Sequence, residues 1–466
     1  MDIHDINELM DLDKFKHIHM IGIGGVSMSA IAETLKLWGH TVTGSDITRT
    51  KITDHLQKNG INVSIGPDFE NTETSDLVIY TAAISEEDPE YNLARAREIP
   101  TVDRGTFVGY LTKRYKDAIC VSGTHGKTTT TSMISLCFLK AQKDPSIQVG
   151  ALVKAIGGNY RVGKSEFFIL EACEYKANFL KSIPNAEVIL NIDNDHLDFY
   201  KTFDNIVKTF EEFASLLEEG GVLVTNADDP NCLKLKNYTN EKFITFGLEN
   251  KEADFTAKDI SYDKNGFPEF DVYKNGTLLG HISLSVAGRH NVLNTLATVA
   301  ICNYYGIDIK TIADALKDFT GAERRLEYKG SMKDGTVSIF DDYAHHPTEI
   351  KATCNAIKNK TYNESWVIFQ PHTYSRTKAL LSDFASALKD FDHVLLIDIY
   401  AAREKDTLGV SSKDLADKIT ELGNTAHYMK SFEDAAQYIK DNVQKNDLVL
   451  TLGAGSITKL GDMIKE

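Results

Sequence analysis

The sequence predicts an α/β protein of three domains, built on sheets of mostly parallel strands. Its 466 residues correspond to three domains at about 150 residues each. Apolar runs with the composition of β-strands alternate with helical patterns over most of the length, which is typical of parallel sheets flanked by helices. Apolar residues make up 42% and charged residues 25%, the balance of an ordinary globular protein. The chain can therefore bury a sizeable core.

The first module has the pattern of a half-sized nucleotide-binding unit. Its first strand is predicted at residues 17–22, and a glycine-rich turn and a helix over residues 30–38 follow. A second strand is predicted at residues 40–44 and a third at residues 76–84. We predict that this Rossmann-like domain covers residues 1–111.

The second module begins with a strand, a glycine-containing loop and a helix from residue 117 onwards. Further strands are predicted at residues 167–171 and 187–193. Between about residues 250 and 285, short alternating runs with the turns KNGF and KNGT predict a small sheet of β-hairpins. We assign residues 112–322 to this central domain.

The third module repeats the alternation of strands and helices. Its predicted strands lie in the segments VSIFDD, SWVIFQP, HVLLIDIY and LVLTLGAG, and each is followed by a helical pattern. We assign residues 323–466 to this second Rossmann-like domain.

Charge and cysteine usage restrict the partners and the location. The net charge of -16 disfavours nucleic acid and anionic membranes, although a local basic pocket for a small anion remains compatible with it. The six cysteines are scattered and form no disulfide or metal framework. The start has no signal-peptide pattern, and no apolar run is long enough for a membrane span. We expect a cytoplasmic protein that is a monomer or a weak homodimer.

A phosphate-binding loop is the strongest motif. It is the segment Gly123, Thr124, His125, Gly126, Lys127, Thr128 and Thr129, between an apolar strand and a helix. Backbone amides of such a loop cradle a polyphosphate, while Lys127 reaches the terminal phosphates and the Thr128 hydroxyl binds Mg²⁺. Only two residues separate its glycines, so the motif is a shortened variant of the usual loop.

A metal site is predicted from the ends of the next two strands. Glu171 ends an apolar strand in the manner of a Walker B acid, and His196 follows the strand at 187–193. Together they could hold Mg²⁺. The neighbouring Asp195 and Asp198 are either supporting groups or helix N-caps.

The first module carries a second nucleotide motif. The turn that begins at Gly22 approaches the pattern G-x-G-x-x-G, with Ser27 in place of the third glycine. Asp46 lies where an acid can bind ribose hydroxyls, and Thr81 ends the third strand at the same edge. An NAD-dependent dehydrogenase is one interpretation of this motif. A dinucleotide site needs two mononucleotide-binding halves, however, and only about 110 residues precede the phosphate-binding loop. The module therefore favours one nucleotide diphosphate.

Polar clusters follow two strands of the third module. The segment from Asp341 to Pro347 and the segment from Gln370 to Thr377 both lie where open α/β sheets bind ligands. Adjacent histidines at 345 and 346 point apart, which disfavours a metal there. Arg324 and Arg325 lie at the junction between the second and third modules, either as contacts to a nucleotide phosphate or as a solvated pair in a linker.

Taken together, the motifs resemble those of the Mur ligase family. They are GIGGVSMSAIAETL, GTHGKTTTT, ILEACEYKANFL, NIDNDHLD, GRHNVLN, GAERRLE, DDYAHHPTE, FQPHTYSRT and DIYAARE. The resemblance implies a peptidoglycan-synthesis ligase that uses ATP and two Mg²⁺ ions to activate the lactyl carboxylate of UDP-N-acetylmuramate as an acyl phosphate. L-alanine is the expected amine, and a murein tripeptide is the alternative.

The resemblance also implies roles for individual residues. It places ATP on the phosphate-binding loop and on His290, Asn294, Arg325 and Asp342, and metal on Thr128, Glu171 and His196. It assigns catalytic roles to Lys127, His345 and Arg376. The UDP-sugar is expected on Gly24, Gly25, Ser27, Asp46 and Tyr343, and also on Thr81 because of its place at the end of the third strand. Thr373, Cys173, Lys176 and Pro67 depart from the family pattern, so no contact is assigned to them. A nucleotide-binding regulator without ligase activity is the alternative from another class.

Overall fold

The computed structural model describes residues 2–3, 6–9, 11–81, 83–85, 87–402 and 404–465. The chain forms two compact units, Met1–Ile192 with Ile206–Thr245, and Asp193–Asn205 with Phe246–Glu466. Among the described residues, no helix is long and apolar enough to cross a membrane.

The first sheet has six parallel strands. They are β1 (Asp2–Ile3), β2 (His17–Ile21), β3 (Thr41–Asp46), β4 (Asn62–Ile65), β5 (Leu77–Tyr80) and β6 (Thr101–Asp103), in the order β1-β6-β5-β2-β3-β4. The helices are α1 (Val26–Leu37), α2 (Lys51–Lys58), α3 (Phe69–Glu73), α4 (Pro89–Ala96) and α5 (Arg104–Arg114). Helix α1 begins before the predicted residue 30, directly after Gly25. Residue 111, the predicted end of the first domain, lies inside α5.

The second sheet carries the phosphate-binding loop. In the first unit its strands are β7 (Asp117–Ser122), β8 (Ser146–Val153), β9 (Gly158–Arg161), β10 (Phe167–Glu171), β11 (Ala186–Ile189) and β12 (Val222–Asn226). They lie in the order β12-β11-β7-β10-β8-β9, and only β9 runs antiparallel to its neighbour. The helices that follow in the chain are α6 (Lys127–Lys140), α7 (Leu197–Tyr200), α8 (Phe203–Ala214) and α9 (Pro230–Lys234). Of these, α7 and the first three residues of α8 belong to the second unit.

The predicted hairpins are present in the second unit. Strand β13 (Lys242–Gly247) leads into it, and β14 (Phe255–Tyr262), β15 (Pro268–Lys274) and β16 (Thr277–Ser283) pair antiparallel. Two helices follow, α10 (Arg289–Tyr304) and α11 (Ile309–Lys317). Tight turns that contain Gly266 and Gly276, both with positive φ, make these reversals possible.

The third sheet also lies in the second unit. Its strands are β17 (Glu327–Met332), β18 (Val337–Asp342), β19 (Ser365–Phe369), β20 (His393–Leu396), β21 (Ala426–Tyr428) and β22 (Leu448–Leu452). They lie in the order β17-β18-β22-β19-β20-β21, and all are parallel except β17. The helices are α12 (Pro347–Ile357), α13 (Tyr374–Ala379), α14 (Leu381–Leu388), α15 (Ser412–Glu421), α16 (Phe432–Asn442) and α17 (Thr458–Ile464). Two apolar clusters line this sheet.

Glu187 is a fully buried carboxyl group in the second sheet. It lies on β11, in register with Cys120 of β7 and Leu223 of β12. Neither of its oxygens has a hydrogen-bond partner within the described part of the chain. Burial raises the pKa of Glu187 well above its ordinary value, because a charge there would be neither solvated nor paired. The folded protein therefore keeps this carboxyl group protonated over a pH range in which the unfolded chain releases the proton.

We expect Glu187→Gln to remove a pH-dependent loss of stability. Because the pKa of Glu187 is raised in the folded state, the free energy of unfolding falls as pH rises above the unfolded pKa, by about 1.4 kcal/mol per pH unit. Urea unfolding at about pH 5 and about pH 6 measures this slope, and Glu219→Gln at an exposed position is the control. Equal slopes for the wild type and both variants would show that the folded protein holds no proton on Glu187.

Candidate active site

The phosphate-binding loop has the predicted strand–loop–helix geometry. It leaves β7 after Ser122 and enters α6 at Lys127. Gly123 and Gly126 have φ of 134° and 86°, a region that glycine adopts at little cost. A Cβ atom on Gly123 would lie 3.1 Å from the backbone nitrogens of Leu190 and Asn191. The first residues of α6, Lys127, Thr128 and Thr129, therefore present their backbone amides at a helix N-terminus, where phosphates bind.

Asn191 holds this loop in shape. Its side-chain oxygen accepts a hydrogen bond from the His125 backbone N–H (2.8 Å), and its side-chain nitrogen donates to the His125 carbonyl oxygen (3.0 Å). Its own carbonyl oxygen accepts from the Thr124 N–H (3.1 Å). In the sequence, Asn191 stands out only as part of the motif NIDNDHLD. The available signal was its position directly after a strand that neighbours β7.

Lys127 is paired with a carboxylate that the sequence analysis did not single out. Its ammonium group donates to Glu174 (3.0 Å) and to the carbonyl oxygens of Gly123 (2.6 Å) and Thr124 (2.9 Å). Burial acts to lower the pKa of Lys127, but the Glu174 carboxylate outweighs it, so the pKa is raised. Lys127 is therefore a fixed positive charge at the loop. Glu174 lies three residues after Glu171, which was the only sequence signal for it.

Two predicted metal ligands meet in the first unit. The Thr128 hydroxyl donates to Glu171 Oε1 (3.0 Å), and the Gly150 N–H donates to Glu171 Oε2 (2.6 Å). A Cβ atom on Gly150 would lie 2.8 Å from both carboxylate oxygens, so a larger residue would displace the carboxylate from this position. Oxygen donors are the ligands that Mg²⁺ prefers, and two oxygens about 3.0 Å apart fit neighbouring positions of its octahedral shell. This pair therefore fits the predicted ion.

The glycine-rich turn of the first sheet is shaped by Asp46. One carboxylate oxygen accepts from the Gly24 N–H (2.9 Å) and the other from the Thr48 N–H (3.1 Å). Thr81 lies against the turn, since a Cβ atom on Gly22 would lie 2.5 Å from its methyl group. The structure thus brings the predicted residues Gly24, Asp46 and Thr81 to one edge. Ala82, which follows Thr81, lies outside the described residues.

The start of α1 is held by polar side chains from other elements. Gly25 is the N-cap of the helix. The Ser27 hydroxyl accepts from Gln148 of β8 (2.6 Å) and from Arg104 of α5 (3.3 Å). Asn159 of β9 donates to the Val26 carbonyl oxygen (2.9 Å). Contacts from two strands of the second sheet and from α5 therefore fix the helix N-terminus where the sequence places a nucleotide diphosphate.

In the second unit, Asp342 anchors the segment that follows β18. Its carboxylate accepts from the backbone N–H groups of Leu326 and Ala344, both at 2.8 Å. Burial raises the pKa of Asp342 to about 6. The guanidinium groups of Arg324 and Arg325 lie 4.8 Å and 5.2 Å from the centre of the Tyr343 ring.

The reading of Arg324 as part of a solvated pair is wrong. Its guanidinium group donates to the carbonyl oxygens of Gly453 and Gly455 and lies 3.3 Å from Asp341. It therefore anchors the loop after β22. Arg325 lies 4.0 Å from Glu349, which leaves it the better candidate for a ligand contact.

His345 is a neutral imidazole beside Tyr343. Its Nδ1 is 3.0 Å from the Tyr343 carbonyl oxygen, which can only accept, so Nδ1 carries the proton. Burial, with Arg376 nearby, lowers the pKa of His345 to about 4, although Glu349 acts in the opposite direction. The remaining nitrogen, Nε2, can then accept a hydrogen bond. His346 makes a different contact, from Nε2 to the Asn194 carbonyl oxygen (3.1 Å), so the adjacent rings have separate roles as expected.

Asp195 supports Arg376 rather than capping a helix. Its Oδ1 accepts from two nitrogens of the Arg376 guanidinium group, at 2.7 Å and 3.2 Å, and a third nitrogen lies 3.1 Å from His372. His196, with φ of 56°, occupies the N-cap of α7, and its ring lies 3.8 Å from Asp195. The N-cap reading of Asp195 was therefore wrong. The side chain of Asp198 and the whole of Arg403 lie outside the described residues.

His290 and Asn294 lie one turn apart at the start of α10. His290 is exposed and packs over Gly288, where a Cβ atom would lie 2.5 Å from its ring. Asn294 is buried and donates to the side-chain oxygen of Asn291 (3.1 Å). An exposed ring next to a buried amide is compatible with the predicted contact to a nucleotide base.

We expect Asn191→Ala to weaken nucleotide binding about tenfold, because His125 loses both side-chain contacts that fix the phosphate-binding loop. Calorimetric titration with a nonhydrolysable ATP analogue measures the affinity. Asn185→Ala is the matched control, since Asn185 bonds to the Ala118 N–H at the opposite end of the same strands. An unchanged affinity for Asn191→Ala would contradict the positioning role.

Comparison with sequence families finds three successive matches. The family described as "Mur ligase family, catalytic domain" matches residues 17–116, "Mur ligase middle domain" matches residues 121–302, and "Mur ligase, glutamate ligase domain" matches residues 324–455. Together these matches cover most of the chain.

Individual relatives agree with this. The chain is 48% identical to the UDP-N-acetylmuramate--L-alanine ligase of Caldanaerobacter subterraneus subsp. tengcongensis, over 98% of this chain and 99% of that one. It is also 48% identical to the enzyme of that name from Acetivibrio thermocellus, over 98% and 97%.

Solved structures bear out the predicted three-domain α/β fold. The UDP-N-acetylmuramate-alanine ligase of Thermotoga maritima has a TM-score of 0.81 at 30% identity, over 96% of this chain and 98% of that one. A murein peptide ligase of Psychrobacter arcticus shares the fold, with a TM-score of 0.71 at 22% identity over 96% and 98%. The chain belongs to the Mur ligase family.

Proposed function

We propose that the chain joins L-alanine to UDP-N-acetylmuramate with consumption of ATP, in peptidoglycan precursor synthesis. The observation that carries this proposal is the arrangement at the ends of β7 and β10, where Lys127 and Thr128 begin α6 beside Glu174 and Glu171. A lysine and a hydroxyl at the start of such a helix are the groups that bind a nucleoside triphosphate and its metal ion. The relatives at 48% identity support the choice of substrates, whereas the peptide ligase at 22% identity supports the fold alone.

The reaction needs an activated carboxylate, because an amine does not displace oxide from a carboxylate. Transfer of the γ-phosphoryl group of ATP to the lactyl carboxylate gives an acyl phosphate and ADP. The amine of L-alanine then attacks the acyl carbon, and the tetrahedral intermediate expels phosphate and forms the amide. One proton leaves the attacking nitrogen in this step.

The central domain, residues 112–322, supplies most of the ATP site in this proposal. The loop from Gly123 to Thr129 holds the phosphates through the backbone amides at the N-terminus of α6, and Lys127 stabilises charge on the transferring group. His290 and Asn294 contact the base. Arg325 and Asp342, of the domain at 323–466, complete the nucleotide contacts.

Thr128 and Glu171 hold Mg²⁺ in the proposed enzyme, together with His196, and we propose two ions. When bound, the metal neutralises negative charge on the phosphates. The hydrogen bond from Gly150 to Glu171 keeps the carboxylate in a single orientation toward Thr128.

The third domain binds and orients the amine substrate. Tyr343, His345 and Arg376 surround the lactyl carboxylate and the incoming alanine in this proposal. A pKa of about 4 makes His345 a weak base, so it orients the amine by accepting an N–H hydrogen bond through Nε2. Asp195 fixes the guanidinium group of Arg376 for its contact with a carboxylate.

The first domain, residues 1–111, holds the UDP part of the substrate. Gly24 and Gly25 form the turn that borders the diphosphate in this proposal, and the N-terminus of α1 at Ser27 receives it. Asp46 and Thr81 border the same edge.

We also propose, from the sequence alone, that the protein is cytoplasmic and is a monomer or a weak homodimer. Cell fractionation tests the location, and sedimentation tests the oligomeric state.

We expect the wild-type protein to release phosphate from ATP when UDP-N-acetylmuramate and L-alanine are both present, and not when a murein tripeptide replaces L-alanine. Lys127→Ala should lower turnover by at least about a hundredfold, because the fixed charge on the transferring phosphoryl group is lost. Lys140→Ala, at the other end of α6, is the matched control. A lack of turnover with L-alanine in the wild type would refute the proposed function.

We expect His345→Gln to retain much more activity than His345→Ala, since the amide oxygen of glutamine can accept the hydrogen bond from the amine. The value of kcat/KM for L-alanine should fall about a hundredfold in His345→Ala and about tenfold or less in His345→Gln. His393→Gln, on β20, serves as the control. Equal losses in both variants of His345 would point to proton transfer instead of orientation.

A further inference from the structure

Glu90 is a buried carboxylate to which neither the motifs nor the proposed mechanism gives a role. It lies in the first turn of α4 and is 3% exposed. Its partner His19, on β2, is fully buried. A charged group in such a place is costly unless its hydrogen bonds are satisfied.

Both oxygens of Glu90 accept hydrogen bonds. Oε1 lies 3.0 Å from His19 Nε2, accepts from the Asp68 backbone N–H (3.0 Å) and lies 3.4 Å from the Thr72 hydroxyl. Oε2 accepts from the Ser45 hydroxyl (2.7 Å). Burial acts to raise the pKa of Glu90, but the hydrogen bonds from His19 and Ser45 outweigh it and the pKa is lowered. The carboxylate is thus ionised and joins β2, β3 and the segment before α3.

These contacts lie directly behind the turn proposed for the UDP group. Ser45 precedes Asp46, whose carboxylate holds the Gly24 N–H. The Asp46 carbonyl oxygen accepts from the Gly66 N–H (2.9 Å), and Gly66 is two residues from Asp68. Glu90 therefore fixes the end of β3 through Ser45 and the segment 66–68 through Asp68. The hydrogen bond between Gly66 and Asp46 joins that segment to the end of β3.

We propose that Glu90 is a positioning residue for the sugar-nucleotide substrate, holding Asp46 and the segment 66–68 at the spacing that the bound UDP group requires. The proposal rests on the assignment of this edge to UDP under the proposed function. It adds a residue that touches no substrate and acts through Ser45 and Asp68. A purely structural role for Glu90 would instead affect stability without selectivity among substrates.

The variant Glu90→Gln tests this with little change in volume. With the amide oxygen at the position of Oε1, the amide nitrogen faces the Ser45 hydroxyl and cannot accept from it, and with the amide reversed the nitrogen faces Asp68 and His19. In either orientation the negative charge and at least one accepted hydrogen bond of the carboxylate are lost. We expect KM for UDP-N-acetylmuramate to rise about tenfold, with kcat and KM for ATP changed by about twofold or less. Calorimetric binding of UDP-N-acetylmuramate should show the same loss of affinity without any turnover.

Two further variants keep the test decisive. Glu187→Gln changes another buried carboxyl group, in the second sheet, and should leave KM for UDP-N-acetylmuramate unchanged. Ser45→Ala removes only the donor to Oε2 and should raise this KM by about threefold, so it serves if Glu90→Gln fails to fold.

The outcomes separate the positioning role from the proposed function. If the wild type turns over L-alanine but Glu90→Gln, or Ser45→Ala in its place, loses only stability with unchanged KM values, the positioning role is wrong and the function stands. An equal rise in KM for ATP would also overturn it. If the wild type neither turns over nor binds the UDP-sugar, the proposed function fails first.

Discussion

Loops at the carboxyl ends of parallel strands leave backbone N–H groups without partners in the sheet, and the whole candidate site depends on how these groups are satisfied. In each sheet one side chain at a strand end does so. Asp46 accepts from the glycine-rich turn, Asn191 from the phosphate-binding loop, and Asp342 from the residue before β17 and from the segment after β18. The remaining amides are thereby held in fixed directions, which is what binding of phosphate and carboxylate groups needs.

The cations of the site are held by carboxylates in a similar way. Lys127 pairs with Glu174, and Arg376 pairs with Asp195. The net charge of -16 is thus compatible with anionic substrates, because local cations are charged and directed before any substrate binds. A phosphate or carboxylate that takes over such a cation exchanges one charge-assisted hydrogen bond for another. Little side-chain ordering is then needed on binding.

Much of the fold followed from periodicity, and the errors have local causes. The segment predicted as a strand at residues 167–171 is β10. The strand predicted at residues 393–400 ends at Leu396, because Tyr400 instead donates its N–H to Pro371. The helical pattern that follows the strand predicted in SWVIFQP is divided into α13 and α14 at Leu380, which has a φ of -114°. Hydrophobic patterns do not report such breaks, because the buried face continues across them.

The sequence by itself determined the alternation of strands and helices, the phosphate-binding loop, and the residue types at the strand ends, because these depend on spacing along the chain. It did not reveal Glu174, Glu90 or the contact of Asn191 with His125, and it left Asp195 between two readings. Glu90 and His19 are 71 residues apart in the sequence, and Asn191 and His125 are 66 residues apart. Only the tertiary structure decides such pairs, since a buried polar group takes the partner that folding brings within hydrogen-bond distance.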